Sequence, residues 1–127
     1  MTDANIPVMQ WSREDGVAVV EILSREIQEL ATAGALGQQL RSLLLSGEKL
    51  VLLDFGRTRL MSSSAFGALL IFRKQVAAAR GELRICSMDA EVRFGADVCG
   101  LGRFIPIHDD RASALAAFAR EGTGTDH

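Results

Sequence analysis

The 127-residue chain is 48% hydrophobic and 24% charged, with a formal net charge of −2. That is enough apolar material for one domain to bury a core, and it offers no electrostatic case for a nucleic-acid or anionic-membrane partner. No segment approaches the roughly 20 uninterrupted apolar residues that span a bilayer, and the opening MTDANIPVMQW lacks a basic-then-apolar leader pattern, so a cytoplasmic protein is expected. Cys86 and Cys99 are too few and too widely spaced for a metal quartet or a CxxC pair. Both are expected as reduced, buried small hydrophobes, and no metal or cofactor is expected.

Val8 to Trp11 reads as a strand, Arg13 to Gly16 as a turn, and Val17 to Leu23 (VAVVEIL) as a second strand, which together make an opening hairpin. Ser24 to Gln28 is polar and fits neither period. Leucines 36, 40, 43 and 44 share one face of a helix expected over Thr32 to Ser46, with Thr32 as its N-cap and Gly47 as its stop. Lys49 to Phe55 (KLVLLDF) is almost wholly apolar, the pattern of a central parallel strand covered on both faces.

After Gly56 to Leu60 come three serines, Ser62 to Ser64, and then AFGALLIFRKQVAAAR. Ala65, Leu69, Phe72, Val76 and Ala79 fall at helical spacing, so this segment reads as a helix ending at Gly81. Glu82 to Cys86 alternates like a strand. Ser87 to Asp89 can cap a helix that runs to about Val98 and stops at Gly100 and Gly102. Arg103 to Ile107 reads as a last short strand, placed near a sheet edge by Pro106. Asp109 or Asp110 then caps a helix from Arg111 to Phe118, and a disordered tail is expected over 120–127. The order is a hairpin followed by helix–strand alternation. It specifies an α/β domain over residues 8–119, with a mixed, mostly parallel sheet of four or five strands and about four helices packed on it.

In such sheets functional groups gather where strands end and helices begin, and the serine triplet lies at that kind of junction. A serine there can cap the helix, or it can accept a phosphate that the positive end of the helix dipole tolerates. One cap needs one serine. Hydrolase chemistry would need a base beside the nucleophile, but the only histidines are His108, near a strand end, and His127, and there is no G-x-S-x-G elbow. The fragment GLG at 100–102 lacks the rest of a dinucleotide fingerprint, and no Walker lysine motif occurs. No enzymatic activity is expected.

The apolar strand ending in Asp54, the short loop, LMSSSAFGA at 60–68, the helix after it and the strand GELRIC at 81–86 occur together in a specific order. This arrangement resembles the STAS domain of bacterial anti-sigma factor antagonists, over about residues 8–119 and most strongly over 49–107. The resemblance implies a signalling regulator that docks an anti-sigma factor with serine-kinase activity and is reset by a serine phosphatase. By position, the family motif acid falls on Ser62, its two serines on Ser63 and Ser64, and its Gly-Leu-Gly on Ala65, Phe66 and Gly67. The resemblance therefore implies Ser64 as the main phosphoacceptor, Ser63 as the second choice, and Ser62, Ala65, Phe66, Gly67 and Asp54 as partner-binding or loop-setting residues. Asp54 is expected to hydrogen-bond the loop that carries the serines. Phe66 is expected mainly in the core, Gly67 at a close helix contact, and Asp89 and Arg93 on a solvated face. Ala65 adds a methyl where a partner's backbone approaches. The alternative is a STAS scaffold or ligand-binding module that is never phosphorylated.

Overall fold

The computed structural model describes residues 8–124. Strands β1 (Met9–Glu14) and β2 (Val17–Ile22) pair antiparallel from Met9↔Ile22 to Glu14↔Val17. The first strand is longer than expected. Its polar residues Ser12 to Glu14 stay in the ladder because β1 is a sheet edge with most side chains in solvent. Asp15 (φ 55°) and Gly16 (φ 81°) form the connection, both left-handed, as a two-residue hairpin turn requires.

Strands β4 (Leu50–Asp54), β6 (Glu82–Cys86) and β7 (Ile107–His108) add to β2 in parallel, giving the order β1-β2-β4-β6-β7. The mixed, mostly parallel sheet of five strands and the four α-helices agree with the sequence reading. Helices α1 (Leu30–Leu45), α2 (Ser63–Ala78) and α3 (Ala90–Val98) build one core with Ala18, Val20, Ile22, Val51, Leu53 and Ile85. The alternate residues Val17, Val19, Leu52 and Cys86 point the other way and meet Ala114 and Phe118 of α4 (Arg111–Gly124). With both faces of β4 covered, its sequence cannot alternate, which is why it reads as a continuous apolar run.

Several boundaries differ from expectation. Helix α1 starts at Leu30, with Glu29 as N-cap residue and no side-chain cap bond, so Thr32 lies inside the helix. The buried stripe Ala33, Leu36, Leu40 and Leu43 fixes the element, and packing of that stripe outweighs a good cap. The expected strand over Arg103 to Ile107 is mostly not one. Leu101–Arg103 forms a 3-10 turn, which folds Leu101 and Ile105 into the core and leaves only Ile107–His108 to pair. Helix α4 continues to Gly124, past Phe118, and residues 125–127 of the expected tail lie outside the described part. Cys86 is buried, but Cys99 is exposed, because it is the C-cap residue of α3 and points away from the stripe Val92 and Ala96.

Gly81 is the glycine whose missing side chain matters most. A Cβ there would lie 2.3 Å from the Lys49 carbonyl oxygen, which accepts the Glu82 N–H that opens β6.

Candidate functional site

The serine turn hangs from a second, two-stranded ribbon. Glu26–Ile27 (β3), inside the segment that fitted neither period, pairs in parallel with Leu60–Met61 (β5). The loop between β4 and β5 is tied down along its length. Thr58 is fully buried and its hydroxyl donates to the Ser24 carbonyl (2.9 Å), the Arg59 N–H donates to the Arg25 carbonyl (2.7 Å), and the Ser62 N–H donates to the Ile27 carbonyl (2.9 Å). The serines are thus presented from a fixed rim.

Each serine of the triplet has its own place. Ser62 is the N-cap of α2, with extended backbone, and its Oγ accepts from the Ala65 N–H at 3.4 Å. Ser63 and Ser64 are the first two helical residues and are exposed, and among the described residues neither hydroxyl has a hydrogen-bond partner. The N–H groups of these positions have no partner within the helix, and no acidic residue occupies the first turn. An anion attached to either hydroxyl would meet free N–H groups and the positive end of the helix, not a competing carboxylate. His108 sits at the β7 edge, 3.1 Å from Arg84 Nη1.

Two family-derived positions turn inward. Ala65 is fully buried and Phe66 only 3% exposed, so their side chains reach the core and not a partner. The Ala65 methyl fills core space and does not narrow an approach path. Phe66 braces the site from behind, because a Cβ on Gly95 of α3 would lie 3.1 Å from the ring. Gly67 is not at a close helix contact, since a Cβ there would meet nothing within 4 Å.

Asp54 does hydrogen-bond the loop, through Oδ1, which accepts from the Gly56 N–H at 2.8 Å. Its Oδ2 accepts from Arg111 Nη2 (2.8 Å) and Nε (3.1 Å), and Arg111 Nη1 also donates to Glu14 (3.1 Å). This arginine, which the sequence reading missed, clasps the first turn of α4 to the ends of β1 and β4. The bond to Asp54 raises the Arg111 pKa further above its ordinary value. Asp89 is not simply solvated. It caps α3 by accepting from the Val92 N–H (2.9 Å), and it pairs with Arg59 of the serine loop at 3.7 Å. Arg93 pairs with Asp97 at 3.6 Å, while its Nε is covered. Cys86, on the α4 side of the β6 end, has its thiol pushed up to about 11, chiefly by burial.

Two apolar surfaces are exposed. Phe94 and Val98 of α3 stand 70% and 72% exposed, one helical turn apart. A groove of about 490 Å³ runs between α1 and α2, with Ser64 in its lining. Among the described residues no helix is long and apolar enough to cross a membrane.

The STAS domain model matches residues 15–114, most of the chain. The chain belongs to the STAS family. A relative in Bordetella bronchiseptica, BtrV, assigned as an anti-sigma factor antagonist, is 33% identical over 88 residues, covering 69% of this chain and 76% of that protein. Among solved structures, a STAS anti-sigma factor antagonist from Planctomyces limnophilus superposes with a TM-score of 0.78 at 17% identity, covering 87% of this chain and 97% of that one. The phosphorylated form of the Bacillus cell-fate determinant SpoIIAA gives 0.65 at 16% identity, covering 87% and 98%. At those identities the two structures speak for the STAS fold alone.

Proposed function

We propose that this STAS protein is a non-catalytic, cytoplasmic anti-sigma factor antagonist switched by phosphate on the serine turn. Ser64 is the acceptor and Ser63 the lesser one. The partner is an anti-sigma factor with serine-kinase activity, which docks on the Ser62–Gly67 turn and the exposed side of α2. Phosphate at Ser64 weakens that docking by placing about −1.5 to −2 charges at a partly apolar contact. A serine phosphatase resets the protein. Ala65 and Phe66 support the turn from the core, and Asp54 holds the loop that leads into it.

One observation carries this reading. Of three consecutive serines, only Ser62 is used as a cap, while among the described residues the Ser63 and Ser64 hydroxyls have no partner, at a helix N-terminus with no acid in its first turn. The relationship to BtrV supports the regulatory class. The test is labelling by the cognate kinase with ATP, followed by mapping of the serine peptide. Ser64→Ala should abolish most incorporation while Ser63→Ala leaves it. Equal labelling of wild type and Ser64→Ala would move the site elsewhere.

Ser62 itself favours a second reading. By the family resemblance it stands at the motif's acid position, and here a neutral cap takes that place. A STAS module that binds its partner without being phosphorylated would have no use for that acid. Failure of every serine kinase of the source organism to label the protein would favour it.

A further inference from the structure

The groove between α1 and α2 has features that the serine switch does not require. Its floor is small, with Gly34, Gly37, Gly67 and Ala68 in the lining, and a Cβ on any of the three glycines would meet nothing within 4 Å. Its lips are large and exposed, Leu30 at 77% and Ile71 at 61%. Neither residue contributes to the core, and together they border a continuous apolar surface of the kind that marks a macromolecular contact. A small ligand normally has most of its surface buried. This trough is open along its length, from Leu30 to Arg41, about 16 Å at 1.5 Å per residue, or three helical turns.

Its two ends differ in charge. Arg41 lies in the lining at the far end beside Gln38 and Gln75, and among the described residues none of the three has a side-chain hydrogen bond or ion pair. At the near end Glu29, next to Leu30, is exposed and makes no cap bond. Both helices leave the parallel β3–β5 ribbon at this near end, so α1 and α2 run the same way.

We infer that this groove receives an amphipathic helix of a protein partner, with apolar residues at i, i+3, i+4 and i+7 seated between Leu30 and Ile71. The helix carries an acidic residue in its first turn, against Arg41, and a basic residue in its last turn, against Glu29. That arrangement suits the docked helix's own dipole and sets it antiparallel to α1 and α2. The groove assignment rests on geometry and charge and does not depend on phosphorylation at Ser64.

The test uses the unmodified full-length protein, isotope-labelled for amide NMR, and a synthetic 15-residue helix-forming peptide with leucines at that spacing, glutamate in its first turn and lysine in its last. The expected result is saturable shifts at Gly34, Gly37, Gly67 and Ile71. Peptide Glu→Gln and protein Arg41→Gln should each weaken binding at least fivefold, and the two together no more than either alone. Gly34→Leu, which fills open space on a helix and should keep its fold by circular dichroism, should abolish binding. Shifts centred on Phe94 and Val98, binding indifferent to Arg41, or no peptide binding would each overturn the inference. So would groove shifts produced by dodecanoate but not by the peptide, since they would make the groove a site for a small amphiphile. No kinase is involved, so the outcome is separate from the fate of the serine switch.

Discussion

Replacing Ser62 tests the geometry of the serine turn and the meaning of the missing acid together. The Ser62 hydroxyl accepts from the Ala65 N–H at a long 3.4 Å, and the same N–H also reaches the Ser62 carbonyl at 3.0 Å. The cap is therefore a weak one. Ser62→Ala should cost about 0.5 kcal/mol, the low end of measured N-cap losses. Ser62→Asp keeps an acceptor and adds negative charge to a helix with no acid in its first turn, a gain of about 0.3–1 kcal/mol at low salt. For a domain of this size, 1 kcal/mol moves Tm by about 4 °C. Urea unfolding at neutral pH should therefore order the proteins Ala, wild type, Asp. The gain of the Asp variant should shrink with salt, and should be lost as pH falls through the lowered pKa of the new carboxylate. Initial phosphorylation by the cognate kinase should be faster for Ser62→Asp than for wild type. A loss above 2 kcal/mol in Ser62→Ala, or an Asp variant less stable than Ala, would refute this description of the turn.

Gly81→Ala should destabilise by about 1–3 kcal/mol, because its Cβ would press on the Lys49 carbonyl and not on a movable side chain; calorimetry reads this directly. Asp54→Ala removes the acceptor of three hydrogen bonds. Arg111 is partly exposed and retains Glu14, so the cost should be about 1–2 kcal/mol, with faster amide exchange at Gly56. The fully buried Cys86 thiol, raised from 9.0 to about 11, stays protonated in the folded state where the unfolded chain has already lost its proton. Stability should fall between pH 9 and 11 by up to about 2–3 kcal/mol, and Cys86→Ala should remove that part of the decline. At neutral pH the exposed Cys99 should react quickly with a thiol reagent and Cys86 slowly.

The sheet was legible because its signals are local. KLVLLDF is unbroken apolar residues between Lys49 and Asp54, ELRIC alternates, and Asp89 and Asp110 cap the helices after them, by bonds from the Val92 and Ser113 N–H groups. The segment 103–107 misled because Phe104, Ile105 and Ile107 have strand-like composition, yet the turn at Leu101–Arg103 buries Leu101 and Ile105 completely and leaves Phe104 49% exposed. At the site, the family pattern located the serines, and the helical spacing of Ala65 with Leu69 and Phe72, together with the core expectation for Phe66, already gave the inward direction that the structure has. Phe94 and Val98 could be found only by noting large apolar residues off the Val92–Ala96 stripe of α3. Arg111 and the α1–α2 groove depend on contacts between segments far apart in the chain, and no local pattern encodes them.

The central claim is that phosphate on Ser64 releases the partner. Its most direct test is a titration of the cognate anti-sigma kinase with unmodified protein and with protein phosphorylated at Ser64, at fixed ionic strength. The account expects binding at least tenfold weaker for the phosphorylated form, about 1.4 kcal/mol or more. Equal affinities for the two forms would contradict it.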